Sequence, residues 1–189
     1  MKVVIDTNSL LSLVRYYLPF DTKSILFNFF KAKIEEGEII IIDKVYEQCI
    51  YNSKGLVIEK LTFLSDKAFL KSSKTPHKTE TLIAPSPSKF LRMMENQFVV
   101  GVQRKKLTDV EFENQKNNHL NDADIKQIIL CLQLIKEDED VVLVTEETTE
   151  SNDNKLFKKI PSICKELNIK TMTLPELIGQ YKEINFNFQ

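Results

Sequence analysis

Four acidic stations carry the chemistry this chain could do: Asp6, Glu47, the pair Asp122 and Asp124, and the pair Glu146 and Glu147. Asp6 closes the run Lys2-Val3-Val4-Ile5 and is followed by Thr7-Asn8-Ser9. A short apolar run reads as a buried strand, so a carboxylate is delivered at its carboxyl edge, where α/β sheets bind ligands. Glu47 falls about one helical turn beyond a second apolar run, and Asp122 and Asp124 open a strongly periodic helical segment. Glu146 and Glu147 end a third apolar run. Carboxylates gathered at one rim raise one another's pKa, and a divalent cation relieves that repulsion. Oxygen-only ligands suit Mg²⁺ or Mn²⁺, and such a centre hydrolyses phosphodiesters by activating water and offsetting charge on the phosphate. Each acid also has a plainer reading. Asn121 or Asp122 with Asp124 makes a helix-capping pattern, Glu47 suits a solvated helix face, and Glu146-Glu147 suits an exposed turn.

The elements that must position these acids follow from periodicity. Strands are expected at 2–6, 38–42, 141–145 and 169–173. Val141-Val142-Leu143-Val144 has the unbroken apolar character of a central parallel strand. Helices are expected at 9–17, 22–36, from Asp43 onward, 89–98, 107–115, 122–135 and 160–167. Pro175 opens a last one, and Gly37 is a stop for the second. Helix 22–36 carries Ile25, Leu26, Phe29, Phe30 and Ile34 on one face, and helix 122–135 carries Ile125, Ile128, Ile129, Leu132 and Ile135. Residues 71–88 look least ordered, with Leu82-Ile83 as an anchor. Strands alternating with helices predict one α/β domain, its central, mostly parallel sheet flanked by helices. Residues 65–118 read as a variable insertion of helices and loops.

Composition narrows the class. A chain of 189 residues with 42% apolar and 28% charged side chains has the make-up of an ordinary globular domain with a full core. Four glycines and six prolines argue against an all-β hairpin architecture. Cys49, Cys131 and Cys164 lie far apart in apolar helical contexts, which fits neither a disulfide framework nor a zinc ribbon and points to a reducing cytoplasm. No apolar run is long enough for a membrane span, and Asp6 and Asn8 interrupt the N-terminal run before any cleavage signal. The net charge of −1 hides an asymmetry: residues 66–106 hold nine basic and three acidic side chains, whereas 107–189 hold nine basic and sixteen acidic ones. A basic segment beside an acidic half suits a polyanionic substrate; a solvated lysine-rich excursion is the plainer reading.

The ordered set Val4-Ile5-Asp6-Thr7-Asn8-Ser9, Asp43-Lys44-Val45-Tyr46-Glu47, Asn121-Asp122-Ala123-Asp124 and Val142-Leu143-Val144-Thr145-Glu146-Glu147 resembles PIN domains. These are metal-dependent ribonucleases that include many toxins of bacterial toxin–antitoxin pairs. The Tyr16–Asp21 segment and Ile160-Pro161-Ser162-Ile163-Cys164 are similar to a bacterial PIN-like branch. The resemblance covers about 1–55 and 119–178. It implies a cytoplasmic Mg²⁺- or Mn²⁺-dependent endoribonuclease with RNA as substrate, an antitoxin protein as partner, and a homodimer to which Ile184–Phe188 adds a contact. By the same resemblance Asp6, Glu47, Asp124 and Glu147 are the catalytic acids. Asp6, Asp124 and Glu147 would hold metal, with Asp122 the alternative to Asp124. Thr7, Asn8 and Glu146 would support them, and Asn152 or Asp153 would add an oxygen. Glu147 departs from the aspartate usual at its place.

Lys71, Lys74, Lys78, Lys89 and Arg92 form the expected RNA-contacting set, extended by Lys67 and Arg104-Lys105-Lys106. Phe69, Phe90 and Phe98 either stack on bases or pack in the core. His77 and His119 lie away from the strand ends, although His119 is near Asp122. Two other classes remain. One is a PIN-like fold that has lost catalysis and serves as a binding or scaffold module. The other is an acidic-site phosphotransfer domain, weakened because Asn8 stands where a dehalogenase-like phosphatase has its second aspartate.

Overall fold

A computed structural model describes residues 1–149, 154–181 and 184. The apolar runs become four short strands: β1 (Lys2–Ile5), β2 (Ile39–Ile40), β3 (Val141–Val144) and β4 (Lys170–Met172). They form one sheet of order β2-β1-β3-β4 in which every pairing is parallel. Val3 and Val4 pair with Ile39 and Ile40, while all four β1 residues pair in register with Val141–Val144. The central pair is therefore buried almost completely, which is why its sequence is apolar at successive positions and not only at alternate ones.

Eleven helices surround the sheet among the described residues. α1 (Thr7–Ser12) continues into a wide π turn, Leu13–Tyr17, and a 3₁₀ turn, Leu18–Phe20. Then come α2 (Ile25–Glu35), α3 (Asp43–Tyr51), α4 (Leu56–Lys60), α5 (Lys67–Ser72), α6 (Pro87–Asn96) and α7 (Gly101–Arg104). They are followed by α8 (Asp109–Leu120), α9 (Ala123–Lys136), α10 (Ile160–Leu167) and α11 (Leu174–Gln180). The expected α/β domain with a parallel sheet flanked by helices is what the chain forms, and it is consistent with a PIN-like fold. None of these helices is long and apolar enough to cross a membrane.

Several boundaries differ for identifiable reasons. α2 starts at Ile25 and not at residue 22, because the Asp21 carboxylate accepts the Ile25 and Phe27 amides at 2.7 and 2.9 Å and fixes the first turn there. Gly37 ends the helix region with φ of +69°, the left-handed conformation glycine adopts freely. β2 pairs with β1 for two residues only; beyond it Ile42 pairs in parallel with His77. The stretch 71–88, which the sequence made the least ordered, is thus pinned at its middle. The His77 amide donates to the Ile41 carbonyl and the Asp43 amide to the His77 carbonyl, each at 2.9 Å. The Asp43 carboxylate then takes the Thr79 amide at 2.9 Å and its hydroxyl at 2.5 Å.

The middle of the chain shares the same core. Phe69, Phe90, Met94, Phe98 and Phe112 are buried with the strand residues. Lys116 of α8 joins Glu95 of α6 at 2.6 Å. α9 is buried at nearly every position from Ala123 to Cys131, as a helix packed on several sides must be.

Candidate active site at the β1–β3 crevice

The chain leaves β1 toward β2 on one side, and leaves β3 toward β4 on the other, so winding reverses between the two central strands. The carboxyl ends of strands at such a reversal border a crevice, because the segments leaving them diverge. Asp6 stands at the end of β1, and Thr145-Glu146-Glu147 at the end of β3.

Asp6 is 4% exposed. One carboxylate oxygen accepts the Thr7 amide at 2.7 Å and the Gln127 carboxamide at 3.3 Å; the other accepts the Thr145 hydroxyl at 3.2 Å. The Thr145 oxygen in turn accepts the Glu147 amide at 3.2 Å, so a hydrogen-bonded relay links both strand ends. Asp6 also occupies the N-cap position of α1, so its capping and chemical readings coincide. Burial raises its pKa above the usual carboxylate range against the hydrogen bonds from Gln127 and Thr7, and Glu147 adds to the rise.

Asp124, in the first turn of α9, is pushed up to about 7, first by burial and then by the charges of Asp6, Glu147 and Asp122, with Lys155 acting the other way. The charges of Asp6 and Glu147 thus reach Asp124, that of Glu147 also reaches Asp6, and Asp122 adds to the field on Asp124. Asp122 is the backbone N-cap of α9, with no hydrogen bond from its side chain to that helix. Its carboxylate lies 3.5 Å from His119 Nδ1. His119 stacks on Phe157 with ring centroids 4.3 Å apart, and burial lowers its pKa.

The remaining expected residues divide. Thr7 is buried and donates its hydroxyl to Gln48 of α3. Asn8 is exposed at the crevice mouth. Glu146 accepts the Leu174 amide at 2.7 Å and the Ser9 hydroxyl at 3.2 Å, holding the start of α11 against α1. Glu147 accepts the Ile160 amide at 3.1 Å, at the first residue of α10. Glu47 is not brought in: its side chain is 59% exposed and lies 3.6 Å from Lys44, while its neighbour Gln48 reaches the β1 end. Asn152 and Asp153 lie outside the described residues, as do Asn185–Phe188, whereas Ile184 packs partly buried against the core. Among the described residues no three of His, Cys, Asp or Glu stand together in an arrangement that could hold a metal ion.

Sequence reasoning missed Gln127. It is fully buried, and while its amide nitrogen serves Asp6, its carbonyl oxygen has no hydrogen-bond partner. A signal existed: Gln127 follows Asp124 by three residues, so both share one face of α9, and it is a polar side chain within an apolar stretch.

Lys71, Lys74, Lys78, Lys89 and Arg92 are all exposed. Lys78 acts on Asp43, beside the carboxyl end of β2. Lys89 and Arg92 line a surface depression of about 500 Å³ along α6. Phe69, Phe90 and Phe98 are buried, which removes base stacking as their role.

The family model described as Domain of unknown function (DUF4411) matches residues 3–186, nearly the whole chain. The chain belongs to that family. Neither curated proteins nor solved structures give a match to this DUF4411 domain. The family description names no activity, so function rests on the crevice.

Proposed function

We propose that this domain is a divalent-cation-dependent endoribonuclease of PIN type, with Asp6 and Asp124 as its principal acids and Glu147 beside them. The observation that carries this reading is the burial of Asp6 at the sheet's winding reversal, together with the half-buried Asp124, whose proton affinity burial and the charges of Asp6 and Glu147 raise. A protein that needed these groups only for folding would gain by replacing or neutralising them, since desolvating unpaired charge is costly.

The donor chemistry fits a hard cation. Asp6, Asp124 and Glu147 offer carboxylate oxygens, and Gln127 offers a buried carbonyl oxygen that lacks a partner. Oxygen donors without nitrogen or sulfur favour Mg²⁺ or Mn²⁺. Asp6 and Asp124 would hold the ion, and the ion would acidify an attacking water and offset charge building on the phosphate. The chain's own contribution is orientation. Thr7, Thr145 and Gln127 fix both Asp6 oxygens, and the Glu147 amide fixes Thr145. Glu147 must give up the Ile160 amide before its carboxylate turns inward, which makes it a weaker ligand than Asp6 or Asp124. An antitoxin partner, a toxin role and a homodimer belong to the same proposal and follow from the resemblance alone.

A second reading, a scaffold module without catalysis, is favoured by one observation. Both glutamates after β3 serve helix N-termini, and among the described residues no three acids stand together to hold a metal. Cleavage of a labelled oligoribonucleotide with Mn²⁺ separates the two. The nuclease reading expects cleavage that Asp6→Asn abolishes with the circular dichroism spectrum unchanged; substantial cleavage by Asp6→Asn in Mn²⁺ ends it.

A further inference from the structure

At Glu146 and Glu147 the crevice opens into a cleft of about 440 Å³ that none of the expected RNA-contacting residues line. Its wall on one side is Asn8, Arg15 and Tyr16; on the other it is Glu146, Glu147 and Lys159. Its lining residue Glu147 is joined to Asp6 by hydrogen bonds, the Glu147 amide donating to the Thr145 hydroxyl oxygen and that hydroxyl donating to the Asp6 carboxylate.

Three features of the cleft point to a nucleotide and not to a general polar surface. Arg15 and Tyr16 project from the π turn Leu13–Tyr17, and such wide turns recur at functional sites because the helix gives up regular bonding to re-aim side chains. Tyr16 is 65% exposed, an aromatic ring on the rim of a polar cleft where no core packing explains it. Arg15 and Lys159 bring two cationic side chains to the same lining as Glu146 and Glu147. Cations that flank an acidic centre suit a phosphodiester backbone, and an exposed ring suits the π-face of an unpaired base. A volume of this size falls in the range of small-ligand sites.

We propose that this cleft binds single-stranded RNA next to the hydrolysed bond, with Tyr16 stacked on a base and Arg15 and Lys159 on the flanking phosphates. The inference rests on the nuclease reading for its strand chemistry but not for its test. The Arg15 guanidinium donates to the Ser53 hydroxyl, a bond it would exchange for one to a phosphate. Tyr16 would select unpaired strands, because a base inside a duplex offers no open face.

The test is fluorescence anisotropy of a short labelled single-stranded oligouridylate, titrated with full-length protein in EDTA and again in Ca²⁺. Tyr16→Ala should weaken binding roughly fivefold to a hundredfold, and Tyr16→Trp should restore it, which a merely structural role for the ring would not do. Arg15→Ala should lower the slope of log affinity against log salt by about 0.7, the value for one contact to a single strand. Because Tyr16 and Arg15 are exposed, unchanged melting temperatures are expected for both variants. No measurable binding in either buffer, a duplex bound as tightly as the single strand, or Tyr16→Ala equal to wild type would each overturn the proposal. Tyr16-dependent binding without cleavage in Mn²⁺ would sink the nuclease reading and leave this one standing. Cleavage with a KM untouched by Tyr16→Ala would do the reverse.

Discussion

Replacing Asp124 by asparagine removes a negative charge from the crevice and, with it, a folding penalty whose size can be worked out. The carboxyl is raised from an ordinary 3.8 to about 7 by burial and by Asp6, Glu147 and Asp122. The folded protein therefore holds this proton more tightly than the unfolded chain. Stability falls as pH rises from the ordinary value and levels off once the folded group has ionised. Each tenfold in proton affinity is about 1.4 kcal/mol, so the full penalty is about 4 kcal/mol. Water and counter-ions reach the half-buried start of α9, which reduces it to about 2 kcal/mol at the lower end. Asp124→Asn in EDTA should thus be about 2 to 4 kcal/mol more stable than wild type near pH 8 and nearly equal to it near pH 4. Urea unfolding at several pH values reads this directly. Mn²⁺ should narrow that gap, since a site at a hundred times its Kd adds about 2.7 kcal/mol to the wild type and less to the variant. Parallel pH profiles, or a variant less stable at high pH, would refute the charging of Asp124 by its neighbours and the cation site built on it.

Other consequences can be checked alongside. Glu146→Ala deprives the Leu174 amide of its charged acceptor and frees Ser9, so it should cost about 1.5–3 kcal/mol by urea unfolding without following any metal titration. Phe98→Ala should cost about 3–5 kcal/mol while leaving RNA affinity per folded molecule unchanged, because the ring is in the core. Burial pushes the Cys49 and Cys164 thiols up to about 12 and raises Cys131 as well, so native protein should resist iodoacetamide near pH 8 and react at all three positions in urea. Gln127→Leu should lower the Mn²⁺-induced rise in melting temperature if the unpartnered carbonyl oxygen serves the site; an unchanged rise would assign Gln127 to packing alone.

The sequence by itself determined the strands, most helices and the parallel sheet, because burial on both faces demands apolar runs such as Val141–Val144, and helix faces demand spacings such as Leu26, Phe30 and Ile34. It also marked Asp6 and Asp124, since a carboxylate at the edge of a buried segment stands out against its neighbours. It could not decide which acids meet. Glu47 and Gln48 are adjacent in the chain, yet a rotation of about 100° per residue around α3 turns one toward solvent and the other toward Thr7. Nor could it show that Glu146 and Glu147 reach amides at the starts of two distant helices, because those partners are fixed by how α10 and α11 dock. The order of 71–88 was equally hidden: its hold on the sheet comes from backbone bonds to Ile41 and Asp43, which leave no mark in side-chain pattern. Local periodicity sets what each segment is; convergence of groups far apart in sequence, and the charge each feels there, exists only once the crossings of the sheet are made.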